Sequence, residues 1–549
     1  MPEYLAPGVY VEEVATGPRP IEGVSTSTTG FAGETERGPT RPRLVTSWED
    51  YQRWFGGYVD RAPFNVGPNP PSFFLPYAVR GFFDNGGQRL FVARVTAPTA
   101  AASTAQFPAG GGGLPTTLQA IGPGIWGNNL RVAILPASAA VANPGGQAAG
   151  WFRIQVMYHV VAPPAPFVDP TDPATIANPN RRDPDAFEDF DNLSADPSRP
   201  NFALTVINDA SRLIRIGAMP NAPTVPAIPA PPAPLPRPTW VSMANGTSPA
   251  VADADYLAAG QPDPELRRGL AGLSAIREIS LVAIPDAFTR TGLSAPLQDE
   301  CDNLRDRFAI HAIAPDSGDV GTIRPLRDSS YGAIYYPLVL VSAPHTPNGW
   351  AYVPAVGHAA GIYARTDVDR GVHKAPANEV VRGIITRDLS GGNKPLSHVI
   401  NKREQDILNP RGVNVIRDFR TDGRDIRVWG ARTMTSDAMW KYINVRRLFI
   451  MIEQSIDRGT QWAVFEPNSE PTWIAVRTSI ANFLRTVWRN GALMGTTEEE
   501  AFFVRCDRTT MTQDDFDNGR LICLIGVAPV KPAEFVIFRI SQKTLESES

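Results

Sequence analysis

Residues 436–540 constrain this 549-residue chain more than any other stretch. The segment is dense in apolar residues and has no proline-rich break. Between 437 and 458, Val445, Leu448, Phe449, Ile452 and Ile456 recur at the three-four spacing that gathers them on one helix face. Ile443 and Ile450 point the other way, so this helix is expected to be covered on two sides. A second helix is predicted to open at Pro471, where a missing N–H does no harm. Its apolar stripe is Trp473, Val476, Ile480, Phe483, Leu484 and Val487, with Asn482, Arg485, Thr486 and Arg489 opposite. Burying that stripe fully is worth at most about 10 kcal/mol. The chain turns at Asn490-Gly491 and Gly495, and strands are predicted at 502–506, 521–527 and 534–540. Pro529-Val530-Lys531-Pro532 joins the last two tightly.

Within this stretch, Phe502-Phe503-Val504-Arg505-Cys506-Asp507, Thr510-Met511-Thr512-Gln513-Asp514-Asp515, Asn518-Gly519-Arg520 and Pro532-Ala533-Glu534-Phe535-Val536-Ile537-Phe538 resemble the C-terminal domain of contractile tail sheath proteins. These proteins form the outer sheath of contractile phage tails and of phage-derived injection systems. A second signature is Tyr352-Val353-Pro354, Gly357-His358-Ala359-Ala360-Gly361-Ile362-Tyr363-Ala364-Arg365-Thr366-Asp367, Arg370-Gly371-Val372 and Lys374-Ala375-Pro376-Ala377-Asn378-Glu379. The resemblance is close over 278–540, loose over 2–95 and weak over 96–275. It implies an α/β (α+β multidomain) chain: a doubly wound, subtilisin-like α/β domain and a C-terminal α+β sheath domain. A small inserted β domain and extended terminal arms complete it.

The expected organisation follows. Residues 1–25 are an N-terminal strand arm, and 26–95 an α/β segment packing with the central domain. Residues 96–240 are an inserted outer β domain ending in a proline-rich connector. The central domain takes 241–400, the sheath domain 401–540, and a polar tail 541–549. In the first segment Val9 and Val11 share one face, and Tyr10 and Val14 the other. Pro7-Gly8 and Gly17-Pro18 isolate this strand, which cannot satisfy its own backbone groups and needs an edge to pair with. That edge belongs either to its own domain or to a neighbouring subunit. Resemblance favours the neighbour, because sheath subunits interlink through exchanged terminal strands. The arm residues are then Val9, Tyr10, Val11 and Val14 at one end and Phe535, Ile537 and Arg539 at the other.

In 26–95, Ser47 is a predicted N-cap with Asp50 three residues on, and a second helix at 73–85 closes at Asn85-Gly86-Gly87. Those glycines precede a strand and no G-x-x-x-x-G-K-[ST] pattern follows, so they read as a helix C-cap and not a phosphate loop. Short strands are predicted at 125–135, 151–161, 202–207 and 213–216, with a long surface excursion at 161–200. Beyond 278, strands at 279–284, 309–314 and 333–341 alternate with helices near 296–308 and 357–365, the pattern of a doubly wound sheet.

A subtilisin-like fold requires a test for a serine hydrolase. Asp286, His311 and Ser248 supply the residue types of a triad, but Ser248 comes first in the chain, against the order that such a site needs. Six histidines include no H-E-x-x-H, and the run from Asp514 to Gly519 places Phe516 where a calcium loop needs a ligand. It reads as a helix-capping acidic turn. No cofactor or metal is expected. With 52 Lys+Arg against 56 Asp+Glu, no direct nucleic-acid contact is expected, nor is a membrane span. The three scattered cysteines form no disulfide framework, which fits cytoplasmic synthesis.

The expected function is therefore that of a non-enzymatic structural subunit. It would polymerise helically around an inner tube and contract to drive the tube through a target envelope. Expected partners are copies of itself, the inner tube protein, and baseplate and cap proteins. The product would be a phage tail or tail-like particle assembled in the cytoplasm and released by lysis. Arg485 and Arg489 are candidates for the surface facing the tube, against the plainer reading of a solvated helix face. The alternatives are a serine hydrolase and a non-contractile tail or baseplate protein.

Overall fold

The computed structural model describes residues 20–58, 73–108, 115–143, 150–219, 221–225, 237–258, 260–263, 266–313, 319–389, 392–537 and 539. Val9, Tyr10, Val11 and Val14 and the 541–549 tail lie outside them. The described residues divide into two compact units. One takes those within 1–25, 370–375 and 444–549, and the other those within 26–369 and 376–443.

The larger unit is mixed α/β, built on a nine-stranded sheet. In chain order its strands are β1 (Thr29–Gly33), β2 (Arg43–Val45), β3 (Leu90–Arg94), β4 (Leu281–Ala283), β5 (Phe308–Ala312), β6 (Gly332–Tyr336), β7 (Glu379–Val380), β8 (Val413–Asp418) and β9 (Ile426–Trp429). Their spatial order is β7-β9-β8-β6-β5-β4-β1-β3-β2. From β8 to β3 every pair is parallel, while β2, β9 and β7 pair antiparallel at the margins. Every residue of β1, β4 and β6 is buried, as strands covered on both faces must be. Residues 26–95 thus supply β1 to β3 of the same sheet that the later chain completes. β8 and β9 also belong here and not with a block beginning at 401, because the edge of β6 needs a partner for its backbone groups.

Two short motifs acquire a physical reason in this unit. A Cβ on Gly357 would lie 2.0 Å from the Ala78 carbonyl oxygen, and one on Gly361 2.3 Å from that of Phe82. A Cβ on Gly81 would lie 2.6 Å from the His358 ring. Helix Val356–Arg370 therefore crosses helix Leu75–Asp84 backbone to backbone, and glycines four residues apart permit it. The Asn85 side-chain amide donates to Gly81 O (2.8 Å), and Gly86 then turns with φ of 96°, the C-cap read from the sequence. The N-cap at Ser47 also forms, its Oγ accepting from the Asp50 amide at 3.0 Å.

Between β3 and β4 lie a three-stranded antiparallel sheet (Thr104–Phe107, Thr116–Ala120, Ile214–Ala218) and a four-stranded one. The latter is ordered Val241–Ser242, Leu130–Pro136, Phe152–Tyr158, Ala186–Leu193. Two expectations change here. The predicted strand at 202–207 is the helix Ala203–Ala210, which buries Ala203 and Ile207 one turn apart. The 161–200 excursion returns as the strand Ala186–Leu193, pairing with Phe152–Tyr158.

In the smaller unit the two predicted helices form as Ile443–Gly459 and Glu470–Arg489. Trp473, Val476, Ile480, Phe483, Leu484 and Val487 are all buried. Leu448 and Ile452 meet most of this stripe in one core with Phe502. Residues 20–24 lie along the first helix: Ile21 packs on Gly459, and the Val24 amide donates to Ser455 Oγ (3.0 Å). Strands Phe502–Arg505 and Leu524–Val527 form an antiparallel pair. The acidic turn is the helix Gln513–Asp517, capped by Thr512 with Asp515. Of the predicted strand at 534–540, residues 534–537 adopt no regular element, and 538 and 540 lie outside the described residues.

Candidate assembly surface and the sheet switch point

The three triad-type residues are held by separate partners. Asp286, just past β4, is fully buried, with Oδ1 accepting from the Phe74 amide (2.6 Å) and Oδ2 from the Tyr256 hydroxyl (2.8 Å). His311 on β5 is 3.1 Å from the Gln298 side-chain oxygen, and burial lowers its pKa to about 4. Ser248 Oγ accepts from the Ile125 amide at 2.9 Å. The sequence thus supplies the residue types of a hydrolase, and the structure commits each to a different structural bond. Among the described residues, no group of three or more His, Cys, Asp or Glu could hold a metal ion. No described helix is long and apolar enough to cross a membrane.

Asp286 nevertheless marks a notable position. The chain moves outward from β1 to β3 on one side and from β4 to β6 on the other, so the strand order reverses between β1 and β4. The carboxyl ends of strands at such a reversal are where open α/β sheets bind ligands. Here the chain's own groups fill the space, since a Cβ on Gly33 would lie 2.8 Å from Leu75 and 2.9 Å from Asp286 Oδ2. Glu34, next after β1 and 18% exposed, accepts from Tyr256 (3.3 Å) and faces Arg290 (3.6 Å). Burial, and then the Asp286 charge, push its pKa up to about 7 against the pull of Arg290, Tyr256 and Arg94. Burial raises the Asp286 carboxyl as well and lowers the Arg94 guanidinium to about 10. This cluster can store a proton near neutrality. Sequence reasoning missed Glu34, whose only signal is a carboxylate directly after a buried strand.

In the smaller unit the two-stranded sheet leaves each strand one edge unpaired among the described residues. Phe502–Arg505 and helix Glu470–Arg489 line a groove of about 580 Å³ that includes Arg477, Arg485, Phe503 and Arg505. Phe503 is half exposed there. Arg485 is not a free cation: its Nε and Nη2 bond both oxygens of Glu498 at 2.7 and 2.8 Å. Arg489 is exposed. Phe535, Val536 and Ile537 are 68%, 71% and 78% exposed, and Arg539 is exposed as well. Three adjacent large apolar side chains in water are an unusual surface for a finished protein.

Comparison with known proteins accords with these features. The phage tail sheath protein central domain matches residues 267–434, and the phage tail sheath C-terminal domain matches 435–543. The tail sheath protein of Burkholderia phage BcepMu is 31% identical over 183 residues, covering 32% of this chain and 37% of that one. That of Salmonella phage ViI is 26% identical over 258 residues, covering 43% and 39%. The matched region spans less than half the length of these relatives. Among solved structures, the helical sheath of the anti-feeding prophage in its contracted state aligns over 98% of this chain and 100% of that one, with a TM-score of 0.54 and 24% identity. The contracted sheath complex of the extracellular contractile injection system PVC gives 0.53 at 21% identity, covering 99% of each chain. Both show a shared fold. The two domain matches together cover half of the chain, and it belongs to the phage tail sheath family.

Proposed function

We propose that this chain is a structural, non-enzymatic subunit of a contractile sheath. It polymerises helically around an inner tube, and the lattice shortens on triggering to drive the tube through a target envelope. The observation that carries this reading is the exposed apolar run Phe535-Val536-Ile537, in the same unit as a two-stranded sheet whose outer edges are unpaired among the described residues. Strand addition between subunits satisfies both at once. In this arrangement Val9, Tyr10, Val11 and Val14 form one arm and Phe535, Ile537 and Arg539 the other, so neighbours rotate without separating. The work of contraction is then stored in the assembled lattice and released as subunits repack. Partners are neighbouring copies, an inner tube protein, and baseplate and cap proteins. Assembly is cytoplasmic, into a phage tail or tail-like particle released by lysis. The parallel sheet supports a doubly wound, subtilisin-like central domain, and the two antiparallel sheets between β3 and β4 support an inserted outer β domain. Negative-stain imaging tests the reading: the purified chain forms long tubes, and a variant lacking residues 2–14 stays folded and monomeric. Long tubes from that truncation would remove the arm from the mechanism.

In this reading Arg485 and Arg489 face the inner tube. Since Arg485 already pairs with Glu498, its contribution to the tube contact is a shared and modest one, as exposed ion pairs are. Reversing both charges is expected to weaken tube-bound extended sheath, measured as the fraction of filled tubes. An unchanged fraction would reassign this face to solvent.

A further inference from the structure

The hairpin of the smaller unit places two cysteines opposite each other. Its register runs from Phe502 opposite Val527 to Arg505 opposite Leu524, so the next step sets Cys506 opposite Cys523. The phase of the ladder is fixed by the Ala528 amide, which donates to Ala501 O at 2.9 Å. Alternation from that bond puts residues 502, 504 and 506 at non-hydrogen-bonded positions, where facing Cα atoms approach to about 4.5 Å. Such a separation falls within the range that a disulfide spans. Both side chains turn to one face, packing together in a cluster with Trp473 and Met511, and both are free thiols.

We propose that Cys506 and Cys523 are a redox pair that closes into a reversible cross-strand disulfide under oxidising conditions. With a small-molecule disulfide such as oxidised glutathione as oxidant, the Cys523 thiolate attacks one glutathione sulfur and releases a glutathione thiolate. The Cys506 thiolate then attacks Cys523 Sγ, forming the intrachain bond and releasing the second glutathione. Two electrons and no protein atoms other than the thiol protons leave the chain. Cys523 is the more exposed of the two and takes the first step. Burial pushes its thiol up to about 12 and raises that of Cys506, so thiolate is scarce at neutral pH. Oxidation is accordingly slow and quickens with pH. Closing the bond pins residues 507–522, including the capped helix Gln513–Asp517, as a loop at the end of the sheet.

The test is to hold the full chain in oxidised glutathione at pH 8.5, then alkylate, digest and map peptides by mass spectrometry. The expected result is a linked Cys506–Cys523 peptide and loss of two of the three titratable thiols. Cys301, fully buried elsewhere, remains free. The thermal midpoint rises by a few degrees and returns on reduction. In Cys523→Ser and Cys506→Ser, each checked for unchanged circular dichroism, the oxidant no longer shifts the midpoint. Three free thiols after prolonged exposure, persistent glutathione adducts without the link, or disulfide-linked dimers would each overturn the proposal. The wild-type map decides the matter even where a serine variant fails to fold.

Discussion

Replacing Phe535 and Ile537 together with aspartate is expected to leave the subunit folded and to abolish its polymerisation. The two demands separate because both side chains are mostly in water in the single chain, at 68% and 78% exposure. Exposed substitutions change folding stability by about 0.5 kcal/mol or less. Burial against a neighbouring strand is a different matter: covering a phenylalanine and an isoleucine is worth roughly 3–6 kcal/mol per junction. Two carboxylates placed in that interface replace the gain with an unpaired charge, which a buried site tolerates poorly. Every junction of a helical lattice carries the same loss, so assembly fails as a whole and does not merely weaken. Gel filtration should show a single subunit peak, circular dichroism and thermal midpoint should match the parent, and electron microscopy should show no tubes. Normal tubes from this variant would mean that the apolar run lies outside the lattice contacts.

That segment also shows what the sequence could and could not disclose. Its apolar residues predict a strand over 534–540, but pairing is a property of two segments. Residues 534–537 take up no strand pairing in the single chain. Where the partner is local, the reading succeeds. The stripe from Trp473 to Val487 is buried at every position named, because helix periodicity reports its own burial. The helix Ala203–Ala210 failed for the converse reason, since its valine and isoleucine favour strands while the packing of Ala203 and Ile207 selects a helix. Gly357 and Gly361 were legible as a motif, but their cause is the backbone of a helix nearly three hundred residues earlier. Arg485 was visible as a surface cation, whereas its pairing with Glu498 depends on a turn at Gly495 that brings Glu498 back to the helix Glu470–Arg489. Glu34 was invisible for a related reason: its environment is assembled from Tyr256, Asp286 and Arg290, which only the strand order brings together.

Glu34→Gln is expected to stabilise the protein above neutral pH and to flatten its stability between pH 6 and 8.5. The folded-state pKa of Glu34 is about 7, against 4.5 for an unperturbed glutamate. The folded state therefore binds this proton more tightly than the unfolded chain does. Its contribution is fully present below about pH 4.5 and is lost as pH rises through 7. Above that, holding an ionised carboxylate in a largely buried site beside Asp286 costs on the order of 3 kcal/mol relative to the protonated form. Glutamine keeps an oxygen to accept from the Tyr256 hydroxyl but cannot ionise, so the cost disappears while the bond stays. Arg290 and Arg94 retain other partners in the variant: Arg290 bonds Asp253 (2.9 Å), and Arg94 donates to Gly38 O (2.7 Å). His311 and His358 leave the part of the window above about pH 6.5 clear. Their folded-state pKa values, lowered by burial to about 4, make them destabilising only as pH falls below about 6.5. Thermal melts at half-unit pH steps should show the parent midpoint falling by a few degrees across the window while the variant's stays nearly level. Parallel curves would place the proton elsewhere in the cluster, and Asp286→Asn, melted over the same range, would then be expected to level the curve in its place.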